Sequence, residues 1–264
     1  MTPVRLIGLP TDSNSSFLRG AALAPPRIRA QLWSNHGNTA TESGAEIGRE
    51  IELRDGGDLP LTETAADDSA IAAAVAAALA AGEAPLLLGG DHSVSAPILA
   101  AIAAHHGPVD ILHFDAHPDM YEDFCGNPRS HASPFARILE AGHARRLVQV
   151  GIRTLNAHCR DQAARYGVEI IPMRDFRPDK VPRLAGPIYI SLDLDGLDPA
   201  FAPGVSHPEP GGLTVRNILD VLASIDAPVI GADIVEYNPS CDINDLTAIV
   251  AAKFVKELAA LLAR

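Results

Sequence analysis

Cysteine is scarce in this 264-residue sequence, which contains only Cys125, Cys159 and Cys241. The three are far apart, odd in number and include no Cys-x-x-Cys pair. The sequence therefore excludes the usual zinc sites built from cysteines, and its cysteine use suits a reducing compartment.

Long apolar runs are also absent. The alanine-rich segment Ala70–Ala81 is only 12 residues long, whereas a membrane-spanning helix needs about 20. The apolar part of Met1–Gly8 is too short for a signal peptide and predicts a first strand. We therefore expect a cytoplasmic protein that does not span a membrane.

The sequence has fewer basic than acidic residues. It contains 21 Lys and Arg and 33 Asp and Glu, which gives a net charge of −12. This balance argues against nucleic acid or an anionic membrane as a partner and is compatible with a small cationic substrate. No long linker and no fixed-period repeat interrupts the chain, and its 47% hydrophobic residues can form a substantial core. We predict a single domain over residues 1–264.

Short apolar strands alternate with helical segments, which is the pattern of an α/β protein with a mostly parallel sheet covered by helices on both faces. The predicted strands are Val4–Gly8, Glu50–Leu53, Ala84–Gly89, Val109–Asp115, Leu147–Ile152, Val168–Ile171, Ile188–Asp193 and Pro228–Ile234. The predicted helices run from Asp67 or Asp68 to Ala81, Ser93 to Ala104, Ser130 to Ala141, Val215 to Ser224, and Asp245 or Thr247 to Leu262.

Carboxylates and histidines follow three of these strands. Alternate positions carry Asp, His and Asp after one strand and two Asp after another, and a single His follows a third. Alternate residues of an extended chain point to one side, and ligands bind where parallel strands end. The predicted metal ligands are His92, Asp115, His117, Asp119, Asp193 and Asp195.

Aspartates past strands are often only turn formers and helix caps. A buried acidic cluster without a cation, however, suffers desolvation and like-charge repulsion, so we favour a metal centre. Oxygen and imidazole ligands without thiolate suit Mn²⁺ best. Six ligands exceed what one ion with room for water can use, so we predict two ions that share carboxylates and activate one water.

Several segments resemble the signature segments of the arginase/agmatinase (ureohydrolase) family in order and spacing. The resemblance covers nearly the whole chain, and residues 122–133 and 198–212 are most similar to the plant-type arginases. The segments are Ser15–Gly20, Gly89–Ser93, Asp115–Asp119, Ser130–Arg137, Ser191–Pro199, Gly211–Thr214 and Asp233–Pro239.

The resemblance implies a three-layer α/β/α fold with an eight-stranded parallel sheet, assembled as a homo-trimer or homo-hexamer. It also implies a centre of two Mn²⁺ per subunit, in which two of the aspartates bridge the ions. One ion is assigned His92, Asp115, Asp119 and Asp193, and the other is assigned Asp115, His117, Asp193 and Asp195.

The same resemblance implies hydrolysis of a guanidino group to urea and a primary amine. Glu236 is expected to pair with the substrate guanidinium, and His131 to carry protons to the leaving amine. From the residues alone, a histidine at a helix start is as often a cap or a surface residue. A glutamate that follows a strand can equally orient a metal ligand by a hydrogen bond without contacting the ion.

The segments that recognise the substrate tail in animal arginases have a different sequence here. The segment that contains Tyr121 is one residue shorter before His131, and Asn156 stands where animal arginases have an aspartate. We predict that Tyr121, Asn127 and Asn156 contact the substrate. The plant-type resemblance favours L-arginine, which gives L-ornithine and urea. Agmatine, which gives putrescine and urea, and other guanidino acids are the alternatives.

Two other functional classes can be compared with this prediction. Deacetylase-type zinc amidohydrolases share the general fold but use one ion and a different ligand set. A metal-dependent scaffold without chemistry would lack some of the ligands or catalytic residues, and none is missing here. The sequence therefore predicts an enzyme.

Overall fold

The computed structural model describes all residues, 1–264, and contains one sheet of eight strands. The strands are β1 (Val4–Gly8), β2 (Leu53–Asp58), β3 (Ala84–Leu88), β4 (Val109–Phe114), β5 (Ala144–Ile152), β6 (Glu169–Pro172), β7 (Ile188–Asp193) and β8 (Val229–Val235). Their spatial order is β2-β1-β3-β8-β7-β4-β5-β6, and every neighbouring pair is parallel. The predicted parallel eight-stranded sheet is confirmed.

Helices cover both faces of the sheet. They are α1 (Ala24–Leu32), α2 (Ala66–Ala80), α3 (Ser95–His106), α4 (Pro134–Glu140), α5 (Ala157–Tyr166), α6 (Val215–Ala223) and α7 (Leu246–Leu262). Helices α1, α6 and α7 pack into one hydrophobic cluster, and α2 to α5 pack into another. Successive strand residues alternate between the two, as Leu86 and Leu88 do on one side and Leu87 on the other. This is the predicted three-layer α/β/α arrangement.

Two sequence-based expectations about the elements are wrong, and two helices had no prediction. The second strand is not Glu50–Leu53 but Leu53–Asp58, a polar and mostly exposed edge strand without the apolar run that marks a buried one. The helix expected from Ser130 begins only at Pro134, because proline suits a first helical turn and disfavours helix before it. Helices α1 and α5 were not predicted at all. No helix is both long and apolar enough to cross a membrane.

The central strands position the candidate site. β3, β8, β7 and β4 are consecutive neighbours in the sheet, so their carboxyl ends lie side by side. The turn after β3 passes tightly under the turn after β1, since a Cβ on Gly90 would lie 1.7 Å from the carbonyl oxygen of Thr11. Only glycine permits this approach, which brings the next residues of the turn over the strand ends.

Candidate metal centre and adjoining cavity

One group of potential ligands gathers around His92. Its Nδ1 lies 3.0 Å from Asp119 Oδ2, 3.1 Å from Asp193 Oδ2 and 3.4 Å from Asp115 Oδ2. All four residues are buried. They come from the ends of β3, β4 and β7, as the sequence predicted.

A second group adjoins the first. His117 Nδ1 lies 3.0 Å from Asp195 Oδ2 and 3.4 Å from Asp115 Oδ1. Asp115 therefore faces each group with a different carboxylate oxygen, which is the geometry of a bridging ligand. Asp193 joins the first group through Oδ2, while its Oδ1 accepts the backbone N–H of Asp195 at 2.8 Å. Its predicted role as a second bridge stays a prediction.

The electrostatics of this six-residue ligand set fit a pair of divalent cations. His92 Nδ1 is buried without any hydrogen-bond partner. Burial, together with the charges of Asp195 and Asp115, raises the pKa of Asp193 well above its usual range. Burial also raises the pKa of Asp195 to about 7, although the charge of His117 opposes it. Cations would relieve this repulsion, and oxygen plus imidazole donors without thiolate suit manganese.

The tautomer of His92 is set by a buried chain of hydrogen bonds. Ser191 Oγ donates to Asp233 Oδ1 at 2.7 Å and lies 2.9 Å from His92 Nε2, so it accepts the Nε2 proton. Asp233 Oδ2 also accepts the hydroxyls of Tyr189 at 2.7 Å and Ser95 at 2.6 Å. The proton is thus kept on Nε2, and Nδ1 presents a lone pair to the ligand set.

A second chain orients Asp115. Gln149 Nε2 donates to Pro118 O at 2.7 Å and lies 3.1 Å from His113 Nδ1, which therefore accepts. His113 Nε2 then donates to Asp115 Oδ2 at 2.8 Å. His113 was not among the predicted site residues, although it lies two positions before Asp115 and the same period-two spacing would have included it.

A cavity of about 220 Å³ opens above the six-residue ligand set. His117, Asp119, Asp193 and Asp195 form part of its lining, and neither Lys nor Arg contributes to it. The other lining residues are Ser16, Pro118, Tyr121, Phe124, His131, Ala132, Thr154, Cys159, His207 and Glu236. Both predicted catalytic residues, His131 and Glu236, therefore face the same space as the ligands.

Glu236 and His131 form a buried pair in the cavity wall. Glu236 Oε1 accepts His131 Nδ1–H at 2.8 Å and the backbone N–H of His92 at 2.8 Å, whereas its Oε2 has no partner. Burial alone would lower the pKa of His131, but the charge and hydrogen bond of Glu236 outweigh it and raise that pKa to about 9. One carboxylate oxygen is left free to receive a cationic group.

The sequence of this chain matches a known protein family over nearly its whole length. A sequence model of the Arginase family covers residues 2–260. The chain belongs to the arginase family. It is 50% identical over 273 residues to Arginase 1, mitochondrial, of Arabidopsis thaliana, covering 97% of this chain and 80% of the relative. Agmatinase, mitochondrial, of Gallus gallus is 34% identical over 273 residues, covering 96% and 78%.

The solved structure of an arginase from Medicago truncatula has the same fold. It aligns with a TM-score of 0.94 at 44% identity, covering 99% of this chain and 87% of that one. The predicted family, fold and enzyme class, a metal-binding ureohydrolase, are thereby confirmed.

Of the predicted tail-binding residues, one lines the cavity and the other two do not. Tyr121 lines the cavity, and its hydroxyl accepts Asn156 Nδ2–H. Asn156 itself caps α5, because its Oδ1 accepts the backbone N–H of Cys159 at 2.9 Å. Asn127 Nδ2 donates to Asn14 Oδ1 at 3.2 Å, and neither Asn127 nor Asn156 is part of the cavity lining. Their contact with substrate stays a prediction.

Two cavity residues were missed by the sequence analysis. Ser16 donates its backbone N–H to His131 Nε2 at 3.2 Å, and its hydroxyl lies 2.8 Å from the same nitrogen. The ring centroid of His207 lies 4.9 Å from that of His131. Burial and the charge of His131 lower the pKa of His207. Both residues come from irregular segments, where no periodicity indicates which side chains face a site.

Proposed function

We propose that this chain hydrolyses L-arginine to L-ornithine and urea at a centre of two Mn²⁺ ions. The observation that carries the proposal is the unpartnered Oε2 of buried Glu236 in the wall of a cavity whose lining includes the ligand set. The 50% identity to a plant arginase, against 34% to an agmatinase, favours arginine over agmatine.

The residues that would hold the ions are His92, Asp115, His117, Asp119, Asp193 and Asp195. When bound, two such ions supply activation of a water molecule at neutral pH and electrostatic stabilisation of the charge that develops during attack. The remaining steps depend on residues of the cavity wall.

Glu236 orients the substrate. A guanidinium presents parallel N–H groups to a carboxylate, and the unpartnered Oε2 is free to accept them while Oε1 stays bonded to His131 and His92. This pairing holds the guanidinium carbon over the ligand set and converts the encounter into a positioned reaction. Neutralising a buried carboxylate also compensates its desolvation.

His131 supplies the proton for the leaving amine. The pKa of His131 is raised by the charge of Glu236, so a cation that pairs with Glu236 brings this pKa down toward its ordinary value. A histidine close to that value can release a proton to the amine nitrogen as the carbon–nitrogen bond breaks. The Ser16 hydroxyl, 2.8 Å from Nε2, can accept the Nε2 proton of the charged ring and hold the ring in place during this transfer.

The alternative substrate is agmatine, because none of the cavity-lining residues is a Lys or Arg that would pair with an α-carboxylate. Urea release from L-arginine, agmatine and 4-guanidinobutyrate by the Mn²⁺-loaded protein tests the choice. We expect the highest kcat/KM for L-arginine. A higher kcat/KM for agmatine would show that agmatine, and not L-arginine, is the preferred substrate. Release of no urea from any of the three compounds would refute the proposed function.

Glu236→Gln separates guanidinium recognition from metal binding. It keeps the shape of the side chain but removes its charge, so it should retain both ions and lose turnover of arginine and agmatine alike. Losing a charge-assisted hydrogen bond from a buried group weakens binding by about 1.5–3 kcal/mol, before any loss of orientation. If Glu236→Gln changes only the ratio of kcat/KM between the two substrates, Glu236 contacts the tail of the substrate and not its guanidinium.

We also infer a homo-trimer or homo-hexamer from the family resemblance. Light scattering should then give three or six times the chain mass of 27.8 kDa, and the mass of a monomer would refute this inference. We further propose that the protein is cytoplasmic, which fractionation of the cells that produce it would test.

A further inference from the structure

A second set of metal-ligand atoms lies in the same cavity, separate from the six-residue ligand set. His131, His207 and Glu236 each offer one ligand atom, and these atoms all lie within 4.8 Å of one another. His131 and Glu236 are buried and His207 is partly buried. We call these residues the His-His-Glu group.

The free oxygen of Glu236, which would also pair with a substrate guanidinium, shows that this group can receive a cation. Glu236 is 3% exposed, and its Oε2 has no hydrogen-bond partner. Ser16 Oγ lies on the other edge of the His131 ring, 2.8 Å from His131 Nε2 and 3.5 Å from His207 Nε2, and can hold the ring while Nδ1 binds an ion. A buried carboxylate oxygen beside two imidazoles is an uncompensated acceptor, which a cation would satisfy.

We propose that the His-His-Glu group is an inhibitory site for a borderline transition-metal ion, Zn²⁺ in particular. Two imidazoles and one carboxylate, with a fourth position open to water, form a common zinc ligand set. The carboxylate-rich set below it, with one imidazole for each ion, favours harder ions such as Mn²⁺. The two neighbouring ligand sets therefore suit different metals.

Binding an ion requires the three ligand atoms, which lie within 4.8 Å of one another, to adopt tetrahedral spacing. His131 Nδ1 and Glu236 Oε1 are 2.8 Å apart across their hydrogen bond, whereas zinc bonds of about 2.0–2.2 Å place tetrahedral ligand atoms roughly 3.4 Å apart. The ion would displace the shared proton, and the unpartnered Oε2 is available in place of Oε1. Binding should therefore release a proton and weaken as the pH falls.

Zn²⁺ at this position would compete with substrate, and this part of the inference rests on the proposed function. Glu236 cannot pair with a guanidinium while it coordinates an ion. Zn²⁺ should therefore raise the KM for L-arginine while kcat, extrapolated to saturating arginine, stays constant. Inhibition that lowers kcat without changing KM would contradict a shared site.

The binding experiment does not depend on turnover. Mn²⁺-loaded protein is dialysed against Zn²⁺, and both metals are then measured by elemental analysis. We expect two equivalents of manganese to be retained and one of zinc to be gained. Release of manganese in proportion to the zinc gained would show displacement at the ligand set and overturn the inference.

Two variants test which residues bind the ion. His207→Asn removes one imidazole, and the zinc affinity should fall by about 100-fold or more, because even outer-shell changes lower metal affinity roughly 10–100-fold. Glu236→Gln should lose the zinc equivalent as well, and both variants should keep their manganese, which also reports that they fold. The matched control is His158→Asn, an exposed histidine stacked on Tyr121 outside the cavity lining.

The outcomes separate this inference from the proposed function. If no guanidino substrate releases urea but the zinc equivalent binds and is lost in His207→Asn, the metal site stands and the function fails. If arginine is hydrolysed and His207→Asn binds zinc as the wild type does, the function stands and this site is refuted.

Discussion

Replacing Ser191 with alanine should weaken metal binding without removing any ligand. Ser191 Oγ accepts a hydrogen bond from His92 Nε2–H and donates its own hydroxyl hydrogen bond to Asp233 Oδ1. Without the hydroxyl, the proton of His92 can move to Nδ1, where Asp119 Oδ2 and Asp193 Oδ2 lie 3.0 and 3.1 Å away. That tautomer places a proton at the position that a metal ion needs.

The size of the effect follows from burial. His92 and Ser191 are both 0% exposed, so no water replaces the lost acceptor, and an unsatisfied buried donor costs about 1–3 kcal/mol. Loss of outer-shell partners of metal-bound histidines typically lowers metal affinity 10–100-fold. We therefore expect Mn²⁺ to bind Ser191→Ala roughly 10–100-fold more weakly, equivalent to about 1.4–2.7 kcal/mol.

The matched control is Tyr189→Phe. It also removes a hydroxyl that Asp233 accepts, at 2.7 Å, but it leaves the link to His92 intact. Manganese titration of the metal-free variants should show weak binding for Ser191→Ala and near-normal binding for Tyr189→Phe, with urea unfolding as a check on the fold. Equal losses in both variants would refute the tautomer argument and leave only a general effect of the buried network.

Three further predictions concern other parts of the molecule. Ser16→Ala removes one hydrogen bond to His131, the proposed proton donor, and kcat should fall about 2- to 10-fold, for about 0.5–1.5 kcal/mol, with a shifted pH–rate profile. Asp193→Ala should lose more manganese than Asp195→Ala in dialysed samples, because a bridging carboxylate holds both ions. Glu83→Gln should lower the free energy of unfolding in urea by about 1–2 kcal/mol at neutral pH, less than a fully buried pair, since its arginine partners are partly exposed.

The pH dependence of the last variant follows from the ion pair. Hydrogen bonds from Arg5 and then Arg54, opposed by burial, lower the pKa of Glu83 from 4.5. A lowered carboxyl pKa contributes stability that is present above 4.5 and lost as the pH falls through the folded-state pKa. The difference between wild type and Glu83→Gln should therefore shrink in acid. A difference that is constant with pH would mean that packing, and not charge, is lost.

Controls for the other two variants come from neighbouring positions. Ser15→Ala removes a hydroxyl that has no hydrogen-bond partner, so its kcat should stay close to that of the wild type. If Ser15→Ala and Ser16→Ala behave alike, the loop and not the hydroxyl matters. If Asp193→Ala and Asp195→Ala retain equal manganese, Asp193 does not bridge.

Much of the site could be predicted because it obeys short-range rules. Asp115, His117 and Asp119 were found because they follow a buried apolar strand, and parallel strands end at one edge of the sheet. They lie in a bend after β4 and not in extended strand, so the alternation rule gave the right residues for a backbone that the structure does not have. Family resemblance added the roles of Glu236 and His131. The edge strand and two helices were missed because their sequences lack strong apolar periodicity, so long-range packing decides their structure.

The residues missed at the site depend on contacts between distant segments. Ser16 reaches His131 across 115 positions, and His207 is placed by a loop whose Ser206 accepts from Asn238 Nδ2 at 2.9 Å. No local pattern predicts such meetings. Gln149 was missed for a different reason, because its position in the middle of β5 looks like that of any buried strand residue, and only its hydrogen bonds show that it supports His113.

Two of the proposed site residues have a left-handed backbone conformation, which is unusual for residues other than glycine. Asp119 and Glu236 have φ of +49° and +64°, in the left-handed region that costs a non-glycine residue about 1–2 kcal/mol. At the end of β8 this turn leaves Val235 in the hydrophobic cluster while Glu236 faces the cavity, and the Glu236 N–H donates to Gly90 O at 2.8 Å. A glycine would remove the strain but also the carboxylate. Strain retained at these two residues is therefore explained by the side chains they present and not by the stability of the fold.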